Sequence, residues 1–274
     1  MSIIHNIDES IMKLGEILAE NKPVMIAFSG GVDSSFLAYY AHRFLGENMA
    51  AVTVRTPFSI KQELDHAYAF AEKYGFRHDV LDVDILNKED VVKNDAMRCY
   101  FCKKCIFSEI RMFAEKNGYS RIAEGSTQSD SGDYRPGKKA LKELKIISPL
   151  ERAGFTRELI LEGYSREGIT LDDHSAHSCL ATRVAYGDII TREVLKKIET
   201  AEGALYSMGL GPLRVRSHGY VARIELCPEK VKLAVIDESL RRNIIQAVKK
   251  AGFPYVTIDI EGLRSGSMNE TLNM

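Results

Sequence analysis

The sequence predicts an α/β fold in two parts: a parallel sheet flanked by helices over residues 1–160, and a smaller α+β part over residues 161–274. Three observations carry this expectation. Short apolar runs alternate with stretches of helical period, the pattern of βαβ units around a parallel sheet. Two glycines, Gly30 and Gly31, stand between the first apolar run and the helical stretch after it. From about residue 160 the alternation ends, and helical segments precede a pair of strand-like runs.

The elements run in order along the chain. Ile4, Ile7, Ile11, Leu14, Ile17 and Leu18 recur at helical spacing, so residues 2–21 form an amphipathic opening helix. VMIAF (24–28) is a short buried strand. Phe36, Leu37, Tyr40, Ala41, Phe44 and Leu45 then line one face of a helix. MAAVTVRT (49–56) is a second strand, residues 60–75 a helix stopped by Gly75, and RHDVLDVDI (77–85) a third strand. Residues 105–118 form a helix ended by Gly118, and YSRIAEGST (119–127) and IISPL (146–150) supply a fourth and a fifth strand. SDSGDYRPGKK (129–139) between them is a polar surface loop. In the second part, 213–226 and 255–260 are strand-like around one helix over 229–251.

Composition narrows the function classes. A hydrophobic fraction of 45% is ample for a packed core. The formal charge of −1 gives no global field for nucleic acid or anionic membrane, so neither is an expected partner. No apolar stretch is long enough to cross a membrane, and the first ten residues carry Asp8 and Glu9 and lack a secretory layout. A cytoplasmic location is expected, where cysteines stay reduced. Five cysteines occur, at 99, 102, 105, 179 and 227, and clustering in such a chain points to a metal or to catalysis.

The strand–Gly30–Gly31–helix junction suits an anion, because glycine admits the ligand to the backbone and a helix start offers free N–H groups. Two glycines alone also fit an ordinary turn. The spacing matches neither the Walker pattern nor the dinucleotide fingerprint. RCYFCKKC (98–105) holds two overlapping CxxC pairs, open to zinc, a redox pair or an iron–sulfur cluster. Cys179 stands apart with Arg183 nearby, a cation that favours thiolate; Cys227 fits a small buried apolar residue. Lys103 and Arg98 are candidate partners for an anionic ligand, with a solvated role the alternative for each. Arg214 and Arg216 share one face of a strand, and Glu202 and Glu225 are candidate partners for them. No spacing motif links His174, His177 and His218 to a metal.

The complete string SGGVDSS (29–35) resembles the signature of the PP-loop, or ATP-pyrophosphatase, superfamily. That resemblance implies an adenine nucleotide alpha hydrolase-like fold and cleavage of ATP between its α and β phosphates. It implies that Ser29, Gly30, Gly31, Ser34 and Ser35 cradle pyrophosphate, that Asp33 helps hold Mg2+, and that backbone from Val52 to Arg55 meets adenine. The order SGGVDSS, RCYFCK, EGSTQSDSGDYRPG, ISPL, SCLATRVAYG and LRVRSHG…ARIE resembles the LarE family over roughly residues 5–265.

This second resemblance implies that residues 1–160 bind ATP and that residues 161–274 serve substrate, sulfur transfer and oligomerisation. It implies an enzyme that adenylates pyridinium-3,5-biscarboxylic acid mononucleotide and converts its carboxylates to thiocarboxylates for the nickel-pincer cofactor. By the same resemblance, Gly125, Ser126, Thr127, Asp130, Asp133, Tyr134 and Arg135 line the cavity, and Arg214 with Arg216 meets the anionic substrate. Lys103, Asp33 and Cys179 would serve the chemistry. Sulfide would arrive from an external donor, and the protein would be a homo-oligomer. Two sulfur chemistries stay open. In one, Cys99, Cys102 and Cys179 ligate a [4Fe–4S] cluster, with Cys105 an alternative to one of them; in the other, Cys179 surrenders its own sulfur. The first is favoured, because a CxxC followed by a lone cysteine is the layout of cluster-dependent tRNA thiolases. tRNA thiolation, amidation of the NAD or GMP synthetase type, and a non-enzymatic nucleotide sensor or sulfur carrier that binds ATP without turnover are the other readings of the same loop.

Overall fold

A computed structural model of the chain describes residues 6–129, 136–170, 178–264 and 266–272. The chain divides into two units, Met1–Asp84 with Cys99–His177, and Ile85–Arg98 with Ser178–Met274. The second unit thus takes in a short excursion, 85–98, from within the first half of the sequence.

In chain order the elements are α1 (Ile7–Glu20), β1 (Val24–Ala27), α2 (Val32–Leu45), β2 (Met49–Arg55), α3 (Lys61–Tyr74), β3 (His78–Asp82) and α4 (Glu89–Val92). Then come α5 (Arg98–Lys116), β4 (Arg121–Ala123), α6 (Pro136–Glu143), α7 (Pro149–Ala153) and α8 (Arg157–Arg166). They are followed by α9 (Arg192–Ser207), β5 (Leu213–His218), β6 (Val221–Leu226), α10 (Pro228–Ile236), α11 (Glu238–Lys250) and β7 (Tyr255–Ile258).

The first unit is a parallel sheet in the order β3-β2-β1-β4. Successive side chains of a strand point to opposite faces, and both faces of this sheet are covered. Val24 and Ile26 of β1 join a core with α1, α2, α3, α7 and α8, including Leu14, Phe36, Phe70, Leu150 and Tyr164. Met25 of β1 and Ala50 and Val52 of β2 join a second core with Phe107 and Ile110 of α5 and Leu141 of α6. Double burial is why β1 and the first part of β2, residues 49–52, are unbroken apolar runs rather than alternating ones.

The fifth strand expected at 146–150 does not extend the ladder. It is reduced to one parallel bridge, Ala123↔Ile147. Ile147 donates to Ile122 O at 3.0 Å and accepts from Glu124 N at 2.9 Å, and then Pro149 opens α7. Proline has no N–H for a ladder and its fixed φ suits a helix start. Two helices also differ from expectation. α5 starts at Arg98, so the cysteine run is helical from its beginning. The segment 229–251 breaks into α10 and α11 because the Asp237 carboxylate accepts from Leu240 N at 2.9 Å and caps a new helix.

The second unit holds a mixed sheet, β5-β6-β7. β5 and β6 form a hairpin turned by Gly219 (φ +60°) and Tyr220, and β7 returns parallel to β6 after α10 and α11. The 85–98 excursion is fastened here by Asn94, which is fully buried. Its amide donates to the carbonyls of Ala185 (2.7 Å) and Asp188 (3.1 Å), and Ile190 N donates to Val92 O at 2.8 Å. Among the described residues no helix is long and apolar enough to cross a membrane.

Candidate functional site

The C-terminal ends of β1 and β2 open into a cleft of about 440 Å³ in the first unit. Strand C-termini are where ligands bind in open α/β sheets. One wall is the turn from β1 into α2. Gly30 takes φ +79°, a conformation that side-chain-bearing residues rarely adopt. A Cβ there would sit 2.5 Å from the Glu63 carbonyl of α3. Gly31 caps α2 without a side-chain hydrogen bond, so the first N–H groups of that helix face the cleft side uncapped. Ser34 Oγ knits the bend together, 3.0 Å from Ser29 Oγ and donating to Gly31 O at 3.0 Å. Below it, buried Tyr164 of α8 donates its hydroxyl to Val32 O at 2.7 Å and anchors the start of α2.

A second wall, packed directly against the bend, comes from the loop after β4. Gly125 approaches so closely that a Cβ would lie 2.9 Å from Ser34 N. Glu124 is 8% exposed and its carboxylate accepts from Ser126 Oγ at 2.7 Å and Ser148 Oγ at 2.5 Å. Val52, Thr53, Val54, Ile60 and Leu64 give an apolar flank of the kind that holds a planar base. Thr53 Oγ1 donates to Phe28 O at 2.6 Å and lies 2.7 Å from His78 Nε2. A hydroxyl has one proton, so His78 donates here. Burial lowers the His78 pKa, favouring the neutral ring. α5 closes the cleft with Lys103, Ile106, Phe107 and Ile110, and the Lys103 stem runs over Gly137 of α6.

Of the residues singled out in the sequence, Ser29, Gly31, Asp33, Ser34, Lys103, Gly125 and Ser126 line this cleft together. Gly30 shapes the bend from behind, and Ser35, 1% exposed, packs beneath the loop rather than lining it. The Asp33 carboxylate is 2.6 Å from Arg157 of α8. Cys99, Cys102 and Cys105 are half-buried along the first turns of α5, the helix that also supplies Lys103. Asp130, Asp133, Tyr134, Arg135, His174 and His177 lie outside the described residues. Sequence reasoning missed Glu124, although it directly precedes Gly125 at a strand end, and it missed Arg157, His66 and His78, which reach the site only through the fold.

The second unit carries Cys179, exposed at the N-cap of a 3₁₀ turn, Leu180–Arg183. Arg183 is 1% exposed and holds this turn from below. Its guanidinium donates to the Ser178 carbonyl, to Ser178 Oγ at 2.7 Å and to Cys179 O at 3.3 Å, and pairs with Glu202 at 3.0 Å. Arg216, 2% exposed, donates to Thr182 O at 2.8 Å and pairs with Glu225 at 2.8 Å. Arg216 is therefore engaged inside the unit, supporting the Cys179 turn. Half-buried Arg214 reaches the Arg264 carbonyl at 3.4 Å, and burial with the nearby cations Arg216 and Arg183 lowers its pKa. Arg98 is buried as well, donating to Asn94 Oδ1 and Ala181 O. Among the described residues no three His, Cys, Asp or Glu side chains converge to hold a metal ion.

This network yields a stability prediction. Glu202 also accepts from Val215 N at 2.9 Å, so Glu202→Ala strands a buried guanidinium and a backbone donor together. Removing one partner of a buried pair costs about 3–5 kcal/mol. Urea unfolding of the variant is expected to show a loss of that size, and an unchanged midpoint would contradict the role given to the pair.

The comparisons with known proteins agree with this geometry. The NAD synthase family matches residues 6–121, the stretch holding the bend and the first three strands. An uncharacterised protein of Synechocystis sp. is 35% identical over 266 residues, 97% of this chain and 99% of its own. The Lactiplantibacillus plantarum pyridinium-3,5-bisthiocarboxylic acid mononucleotide synthase is 32% identical over 257 residues, 93% of this chain and 92% of its own. A component of the glutamine-hydrolysing GMP synthase of Pyrococcus furiosus is 38% identical, but over only 77 residues, 28% of this chain and 24% of its own. The GMP synthase thus shares one segment of the chain, whereas the L. plantarum synthase matches nearly all of it. The chain belongs to the LarE family of PP-loop, ATP-dependent sulfurtransferases.

Proposed function

We propose that this enzyme adenylates the carboxylates of pyridinium-3,5-biscarboxylic acid mononucleotide and converts them to thiocarboxylates, in the service of nickel-pincer cofactor synthesis. The observation that carries the reading is one helix: α5 lines the cleft with Lys103 and bears Cys99 and Cys102, which are not among the lining residues, on the same first turns. Full-length similarity to a synthase named for the bisthiocarboxylate supports the substrate.

ATP lies with its base on the Val52–Val54 flank and its β and γ phosphates on the bend. The uncapped start of α2, the Gly31 N–H and the Ser29 hydroxyl take the negative charge, while Ser34 Oγ, whose proton goes to Gly31 O, braces the cradle. Asp33 is the carboxylate placed to hold Mg2+, and Arg157, its present partner, is then available to the phosphates. A substrate carboxylate oxygen attacks the α phosphorus, the bond to the bridging oxygen breaks, and pyrophosphate leaves with that electron pair. Lys103 neutralises charge as the acyl adenylate forms. A sulfur nucleophile then attacks the acyl carbon, and AMP departs with the oxygen.

For sulfur delivery we assign Cys99, Cys102 and Cys179 as ligands of a [4Fe–4S] cluster. Cys99 and Cys102, three residues apart on one helix, and Cys179 would hold it as soft thiolate donors, and they would have to be drawn together on loading, since no three such side chains converge among the described residues. When bound, the cluster supplies an exchangeable sulfide, replenished by an external donor. The alternative, loss of sulfur from Cys179 itself, draws support from the exposure of that thiol. The C-terminal unit, with Cys179 and Arg214, serves sulfur transfer and substrate, and a homo-oligomer is the expected assembly.

Mass spectrometry separates these cases. Anaerobically reconstituted enzyme given ATP, the biscarboxylate nucleotide and sulfide is expected to form thiocarboxylate over many turnovers, with about four irons per chain. A single turnover that leaves dehydroalanine at Cys179 supports the sacrificial route. No thiocarboxylate under either condition overturns the substrate assignment.

A further inference from the structure

The geometry points to His66 as a positioning residue that locks the Gly30–Gly31 peptide in its phosphate-receiving orientation. His66 sits in the second turn of α3, and its Nδ1 is 2.7 Å from the Gly30 carbonyl oxygen. A carbonyl oxygen only accepts, so Nδ1 carries the proton. The ring is held in place by Phe70 one turn later, with centroids 5.9 Å apart.

The consequence follows from peptide geometry. In a planar trans peptide the C=O and the N–H point in opposite directions. Fastening the Gly30 C=O to α3 therefore turns the Gly31 N–H away from α3, and Gly31 is one of the residues lining the cleft. A peptide flanked by two glycines rotates with little steric resistance, because neither residue carries a Cβ. Close contact of Gly30 with the Glu63 carbonyl and Ala67 limits where that residue can sit. Van der Waals contact does not select which way a peptide plane faces; a directed hydrogen bond does. Within the bend, Gly31 N donates to Ser29 Oγ at 3.3 Å; His66 fixes the other end of the same peptide at 2.7 Å, from α3 and 36 residues away in sequence.

This inference rests on the reading that ATP occupies the cleft, and the experiment keeps the two apart. Three enzymes are compared: the parent, His66→Asn and His66→Leu. Asparagine places an N–H close to where histidine Nδ1 stands, and leucine has nearly the same shape without a donor. ATP binding is measured by calorimetry, together with the amide resonance of Gly31 in glycine-labelled protein and the melting temperature without nucleotide. His66→Leu is expected to weaken ATP binding about tenfold and to shift the Gly31 resonance, whereas His66→Asn stays within about threefold of the parent. Melting temperatures of the two variants should agree. Equal binding by parent and His66→Leu, or an equal loss in both variants, overturns the inference. A parent that does not bind ATP overturns the functional reading instead.

Discussion

Gly30→Ala is expected to reduce ATP-dependent activity by about a hundredfold while leaving the protein folded. Two independent features produce this result. The residue holds φ +79°, which costs an alanine about 1 kcal/mol. Its Cβ would also sit 2.5 Å from the Glu63 carbonyl, a backbone atom of α3 that has no rotamer by which to yield. The bend must then move away from α3, carrying Ser29, Gly31 and Ser34 out of register with the phosphates. Gly75→Ala is the matched control. Gly75 has a similar φ, +72°, but a Cβ there meets nothing within 4 Å. It should lose about 1 kcal/mol of stability and keep its activity. Similar losses of activity in both variants would mean that backbone strain, and not the packing of the bend, governs the site.

Cys179→Ala should abolish thiocarboxylate formation and spare the adenylation half-reaction. The thiol is exposed at the end of a 3₁₀ turn whose carbonyls are held by Arg183 and Arg216, so truncating one side chain leaves the turn intact. Cys179 is needed under both sulfur chemistries. The double variant Cys99→Ala, Cys102→Ala distinguishes them. It should lose iron and turnover if a cluster delivers sulfide, and it should retain one turnover if Cys179 is consumed. Thiocarboxylate formation by Cys179→Ala at the parental rate would remove Cys179 from the reaction.

Much of the first unit was legible because its signals are local. β1 and the first part of β2 are buried on both faces and so appear as apolar runs, and the glycine pair marks the bend where the chain must reverse against α3. Less legible were features set by contacts distant in sequence. Nothing in residues 85–98 announces that they pack with the second unit; that depends on Asn94 meeting carbonyls more than ninety positions later. IISPL has strand-like composition, yet Pro149 converts it to a helix start after a single bridge. The arginines of the second unit were recognised as clustered. Their partners came out by fold, with Glu225 on Arg216 and Glu202 on Arg183 rather than on Arg214. His66 and Arg157 carry no sequence signal, because a lone histidine or arginine on a helix acquires its role only from what the fold sets opposite it.

The central claim is that ATP activates an acid at the glycine bend. Isotope exchange between labelled pyrophosphate and ATP measures that step directly, because only a reversibly formed adenylate returns label to ATP. The account predicts exchange that requires the pyridinium biscarboxylate nucleotide, persists in Cys179→Ala and collapses in Gly30→Ala. Exchange that proceeds equally without the biscarboxylate, or none in its presence, would contradict it.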